Sequence, residues 1–116
     1  MNLNELATMA SYNIPVVMFI MNNKVLGMVR QWQKLFYGNR FADTDPNRKT
    51  DFVKVAEAFG VKGLRIENND QIESVVKEAL AYNGPVVVDC RISPDSNVLP
   101  MIPPGGSSDD IIMNFN

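Results

Sequence analysis

The 116-residue sequence contains no histidine. That removes the commonest general base and the commonest transition-metal ligand. The usual Ser-His-Asp and Cys-His hydrolase arrangements go with it. Catalysis by these residues must therefore lean on a cofactor, on carboxylates or on groups supplied from elsewhere. A single cysteine, Cys90, is present, so no disulfide can form within one chain. Cys90 lies in an apolar strand pattern and reads as a small buried hydrophobe in a reducing, cytoplasmic compartment. No basic cluster occurs and the net charge is −2, which makes nucleic acid and anionic membranes poor partners. No apolar run is long enough to span a bilayer. No basic segment followed by an apolar stretch opens the chain, so no signal peptide is expected.

Hydrophobic residues make up 46% and charged residues 21%, the balance of a folded globular chain rather than a disordered one. Asn2 and Glu5 have capping-box spacing, which predicts a first helix with Leu3, Leu6, Ala7 and Ala10 on one face. Pro15 ends it, because the residue before a proline avoids the helical region. Val16 to Met21 is a short apolar run, expected as a strand buried on both faces. A second helix follows Gly27, with Met28, Trp32, Leu35 and Phe36 sharing a face. Gly38 to Thr50 reads as a long loop. Asp51 is expected to cap a third helix carrying Phe52, Val55, Ala56 and Phe59 inward, closed by Gly60 in the left-handed region. A strand over Leu64–Glu67 comes next. A helix capped by Asp70 and Glu73 follows, with Ile72, Val75, Val76, Ala79 and Leu80 inward. A third strand spans Val86–Ile92.

Strands alternating with helices predict an α/β fold, a three-layer α/β/α parallel sheet. All three strands read as buried on both faces. The chain opens on a helix, so the expectation is a domain truncated on its N-terminal side, with a sheet edge exposed. Residues 1–92 read as the domain, and residues 93–116, rich in Pro, Gly and Ser, as an irregular C-terminal arm.

In open α/β sheets ligands bind beyond the carboxyl ends of the strands. Asn22-Asn23 stands at such an end. Two side-chain amides there can offer oxygens to a hard cation such as magnesium, or form a plain turn, which asparagine favours for its own reasons. Trp32 reads equally as a core residue needing a partner for its N–H, and Met28 as a packing residue. Asp43, Asp45 and Asp51 lack the spacing and closing glutamate of a calcium loop. Asp109-Asp110 reads as a solvated or capping pair.

The stretch Asn22-Asn23-Lys24-Val25-Leu26-Gly27-Met28-Val29-Arg30-Gln31-Trp32-Gln33 closely resembles the acetolactate synthase large-subunit family. So do Met1 to Thr8, Asn13-Ile14-Pro15-Val16, Leu35 to Gly38, Asp51 to Lys54, Pro85 to Asp89 and Pro100 to Gly106. The resemblance runs in order along essentially the whole chain. It implies a C-terminal part of a thiamine-diphosphate-binding domain. The family's cofactor motif opens with Gly-Asp-Gly and closes with Asn-Asn, and only the second half is present in these residues. By position, the resemblance gives Asn23 as a side-chain ligand of Mg2+ and Val25 as a carbonyl ligand. Lys24, Leu26, Gly27 and Met28 would pass beside the cofactor, and Met28 and Trp32 would line the substrate channel.

The implied activity is condensation of pyruvate with pyruvate or 2-ketobutyrate, with loss of carbon dioxide, in branched-chain amino-acid biosynthesis. The resemblance further implies 2-keto acid substrates, a homo-oligomer of the catalytic subunit, a regulatory small subunit, and FAD bound mainly by another domain. The arm would fold over the active site as a lid. No catalytic residue is expected within these 116 residues, and without the aspartate of Gly-Asp-Gly they are expected to be inactive alone. Two other readings stay open. One is another thiamine-diphosphate-dependent decarboxylase or oxidase, which shares the asparagine motif but generally lacks Gln-Trp-Gln. The other is a non-catalytic α/β interaction domain.

Overall fold

The computed structural model describes residues 2–46 and 49–114. Three parallel strands, β1 (Val17–Asn22), β2 (Lys62–Ile66) and β3 (Val86–Arg91), form one sheet in the order β1-β3-β2. The helices are α1 (Glu5–Ser11), α2 (Gly27–Phe36), α3 (Phe52–Ala58) and α4 (Ile72–Ala81). The chain divides into two compact units. The sheet unit comprises Met1–Asn23 and Lys49–Ile92; the second comprises Lys24–Arg48 and Ser93–Asn116.

The sheet unit has the expected three layers. Val86, Val88 and Cys90 alternate along β3 and pack with Ile66 and Ala79, so α4 covers one face. Val87 points the other way and packs with Leu6 of α1, Ala56 of α3 and Val61. Side chains two apart share a face in a strand, so one apolar run supplies both cores. Only β3 is buried along almost its whole length. β1 corrects the expectation of burial on both faces. It pairs with β3 alone, and Met18, Phe19 and Met21 are exposed. β2 is the opposite edge and half-buried.

Local signals mostly fall where the chemistry places them. The Asp51 carboxylate caps α3, accepting the N–H groups of Val53 at 3.1 Å and Lys54 at 3.3 Å. Gly60 sits at φ 78°, the left-handed position that glycine occupies without steric cost. Gly63 is required for another reason: a Cβ there would lie 2.8 Å from Val53 Cγ1 and 2.9 Å from the Val53 carbonyl oxygen. Only a residue without a side chain lets α3 lie this close to β2.

Four further expectations are corrected. Asn2 takes a left-handed φ of 44°, and α1 starts at Glu5 behind Asn4 with no side-chain cap. Leu3 and Ala7 are exposed. The capping box before α4 is made by Asn68 and Gln71 around a short 3-10 turn, two residues ahead of the Asp70–Glu73 pattern. On α4, Ile72 and Leu80 are exposed, while Ala79 is buried and Val75 and Val76 are partly so.

In the second unit α2 is the only α-helix among the described residues. Residues 38–46 and 49–50 carry no regular structure, as expected of the loop. The arm contains a 3-10 turn over Ser108–Asp110 and one antiparallel bridge between Met101 and Ile112. Ser107 caps that turn, its Oγ accepting the Asp109 N–H, and the Asp110 carboxylate accepts the Ser107 N–H in return. No helix among the described residues is long and apolar enough to cross a membrane.

Candidate functional site

Strand register sets the chemistry at the carboxyl end of the sheet. Ile20 is level with Asp89, and Asn22 with Arg91. On β2, Arg65 is level with Asp89. Asn22, Asp89 and Arg65 therefore project from one face, the face that α1 and α3 cover. Asp89 is fully buried within an otherwise apolar stretch of β3. A buried carboxylate survives only if charge and hydrogen bonds compensate its lost hydration. Its Oδ1 accepts the Asn22 amide at 2.8 Å. Its Oδ2 accepts Arg65 Nε at 3.4 Å and lies 3.1 Å from an Arg91 guanidinium nitrogen. Arg65 also pairs with Asp51, the cap of α3. The N–H of Lys54 first, and then the Arg65 charge, hold the Asp51 carboxyl below its ordinary value despite partial burial.

This network fixes Asn22, the first asparagine of the pair, as a donor to Asp89. Asn23 follows directly, half-buried, just past the end of β1. One member of the pair is thus anchored into the sheet, and the other lies at the carboxyl end of β1. The residues give no sign of Asp89 beyond being a lone acid inside Val86–Cys90. Two of its partners, Asn22 and Arg65, lie 67 and 24 positions away, and only Arg91 is near in sequence. Cys90 is buried, and that burial, and secondarily the charge of Asp89, push its thiol above the ordinary value.

The remaining candidates belong to the second unit. Lys24 is exposed and takes φ 61°. The left-handed region costs a lysine about 1 kcal/mol, which marks this turn as one its surroundings hold in place. Val25 and Gly27 are half-buried, and Leu26 is exposed. The Leu26 N–H bonds the buried Thr44 carbonyl at 2.8 Å. Leu26 offers no side-chain cap to α2, which opens at Gly27. Met28 and Trp32 come together with Val29, Gln33 and Tyr37 around a cleft of about 490 Å3. Trp32 is 39% exposed and meets Phe36 edge-on, with centroids 6.1 Å apart. The apolar face of α2 is therefore a surface, not a core. Its buried residue is Gln31, which sequence patterning passes over. Among the described residues, no group of three or more Cys, Asp or Glu side chains could hold a metal ion.

Residues 1–90 match the family described as "Thiamine pyrophosphate enzyme, C-terminal TPP binding domain". The acetolactate synthase large subunit of Porphyra purpurea is 42% identical over 113 residues, covering 97% of this chain and 19% of that protein. The probable acetolactate synthase large subunit of Methanocaldococcus jannaschii is 47% identical over 112 residues, again 97% and 19%. The acetolactate synthase of Mycobacterium bovis is 47% identical over 112 residues, covering 92% of this chain and 18% of that protein. Among solved structures, a thiamine diphosphate-dependent 4-hydroxybenzoylformate decarboxylase from Rhodococcus jostii superposes with a TM-score of 0.69 at 31% identity, over 78% of this chain and 17% of that one. The chain spans about a fifth of the length of the curated relatives it matches.

Proposed function

The chain belongs to the thiamine pyrophosphate enzymes, as a C-terminal TPP binding domain, and from that membership we propose that it serves the catalytic subunit of an acetolactate synthase. The reaction is condensation of pyruvate with a second pyruvate or with 2-ketobutyrate, releasing carbon dioxide, on the route to valine and isoleucine. The observation that carries this reading is Asn23 at the carboxyl end of a parallel strand, held there through Asn22 and buried Asp89.

Thiamine diphosphate supplies the means to stabilise the negative charge left when carbon dioxide departs. The work of this chain is to hold and orient. In this reading the Asn23 side chain and the Val25 carbonyl give oxygen ligands to Mg2+. Lys24, Leu26, Gly27 and Met28 run beside the cofactor. The N-terminal end of α2 would turn its backbone N–H groups toward an anion such as a diphosphate. Met28 and Trp32 wall the approach of the keto acid. The donors fit the group as part of its shell. They are oxygens, as magnesium requires, but neutral, and the ion gives up its water reluctantly without carboxylates or phosphates. FAD would lie mainly on another domain, and the arm over residues 93–116 would act as a lid. The relatives' designation as large subunits fits a smaller regulatory partner and a homo-oligomer of catalytic subunits. A single buried free cysteine fits the cytoplasm.

Two experiments test this reading. In the full-length catalytic subunit carrying these residues, Trp32→Leu is expected to cut the preference for 2-ketobutyrate over pyruvate by about tenfold, the scale on which pockets discriminate one methylene. Competition between the two substrates measures it, and an unchanged ratio sinks the channel role. In the 116-residue chain alone, titration calorimetry with thiamine diphosphate and Mg2+ is expected to show no micromolar binding. Magnesium-dependent micromolar affinity would overturn the partial-shell account.

A further inference from the structure

We propose that Gln31 and Gln33 are positioning residues for Trp32: two amide clamps on opposite flanks of α2 fix the roll of the helix and so the direction the indole faces. Gln31 is 2% exposed. Its Nε2 donates to the Val98 carbonyl at 2.9 Å, and its Oε1 accepts the Val98 N–H at 2.8 Å. The same Nε2 lies 3.1 Å from Met101 Sδ. Gln33 repeats the pattern with Ala42: Nε2 donates to its carbonyl at 3.0 Å, and Oε1 accepts its N–H at 3.1 Å. Each glutamine therefore satisfies both backbone groups of one residue, much as a neighbouring strand would.

Helix geometry turns these pairings into a device. Successive residues project about 100° apart around a helix. Gln31 and Gln33 therefore reach out on either side of Trp32, which stands midway between them. A single attachment lets a helix roll about it; attachments on both flanks do not. An apolar stripe would not achieve the same, because hydrophobic contact has no direction. Paired hydrogen bonds do have one, since they weaken steeply off axis. Among the described residues α2 buries no apolar side chain, and Met28, Val29, Trp32 and Phe36 are all exposed. Its orientation within the second unit is set by polar contacts. Arg30, on the helix face roughly opposite Trp32, adds two more, an ion pair with Asp95 at 3.0 Å and a guanidinium 4.0 Å above the Phe41 ring.

The held indole forms a rigid apolar wall of the cleft with Met28, Val29 and Tyr37, a surface suited to a small alkyl group. That last point rests on reading Trp32 as a channel residue; the clamp itself does not. The chain has one tryptophan, so its fluorescence reports Trp32 alone. Time-resolved anisotropy and acrylamide quenching on the 116-residue chain compare wild type, Gln31→Leu, Gln33→Ala and the stability control Val76→Ala in the sheet core. Each glutamine variant is expected to raise the population of misaligned, fast-moving indole by about 5- to 30-fold, the range that accompanies the loss of one to two hydrogen bonds. Val76→Ala should leave the indole as rigid as in wild type. If Gln31→Leu fails to fold, Gln33→Ala carries the test, because Gln33 is only half-buried. An indole as immobile in folded Gln33→Ala as in wild type overturns the proposal. In the full-length subunit, Gln33→Ala should lower 2-ketobutyrate preference in the same direction as Trp32→Leu but less. A mobile indole with unchanged preference upholds the clamp and defeats the channel role of Trp32.

Discussion

The two units of the chain are held by different physics. In the sheet unit, the buried side chains among the described residues are Leu6, Ala56, Val61, Ile66, Ala79, Pro85, Val86, Val87, Val88 and Cys90, with Asp89 the one charged member. In the second unit the buried side chains among the described residues are Gln31 and Thr44, both polar. Apolar burial is large and non-directional, so it supplies stability and tolerates small rotations. Amide pairs are weaker in net terms but specify an angle. A scaffold uses the first. A segment that must present an indole in one direction uses the second, and accepts lower local stability in return.

The sharpest way to break the contrast is to strike the one charge inside the apolar unit. Asp89→Ala leaves Arg65, Arg91 and the Asn22 amide without their shared acceptor, and is expected to cost about 3 kcal/mol in urea unfolding followed by circular dichroism. Val88→Ala deletes apolar volume at a fully buried site and should cost about 2–3 kcal/mol by the same measurement. Gly63→Ala forces a Cβ onto the Val53 backbone and should cost about 1–3 kcal/mol. By contrast Asp95→Ala in the second unit removes a half-exposed ion pair and should cost only about 0.5 kcal/mol. If Asp95→Ala matches Val88→Ala, the division into an apolar scaffold and a polar clamp is wrong.

The smallest expected effect is a pH dependence. The Asp51 carboxyl is held below its ordinary value by the Lys54 N–H and by Arg65. A depressed folded value means that its contribution is complete above the unfolded value. It is lost as the pH falls through the folded one. Acid unfolding of wild type should therefore show a component at the low end of the carboxylate range that Asp51→Asn lacks. Superimposable acid curves would place the cap's stabilisation elsewhere.

What the sequence made legible follows how local each interaction is. Asp51 as the cap of α3 and Gly60 as its stop were readable, because both act within a few residues. The β3 core was readable because the apolar run itself carries it. The same logic misplaced β1, since an apolar run marks a strand but not its position in the sheet. Met18, Phe19 and Met21 look as buried in sequence as Val86 to Val88 and are not. The pattern before α4 was ambiguous because Asn68 with Gln71 satisfies the same rule as Asp70 with Glu73, two residues earlier. Of the candidate site, Asn23 and Trp32 could be picked out in sequence, whereas the residues that hold their neighbourhoods could not. Asp89 and Gln31 act on partners 67 positions away, and no period or spacing announces that.

The strand order carries a consequence for how the sheet is made. β1 and β2 are both built before β3, yet within this sheet neither pairs with the other; each pairs only with β3. A polypeptide emerging from the ribosome thus delivers β1 and β2 before the strand that pairs with both of them. Until residue 91 is out, neither edge can zip onto its neighbour, and Asn22 has no Asp89 to anchor it. Every pairing in this sheet therefore waits for β3, and the Asp89 anchor of the asparagine pair waits with it.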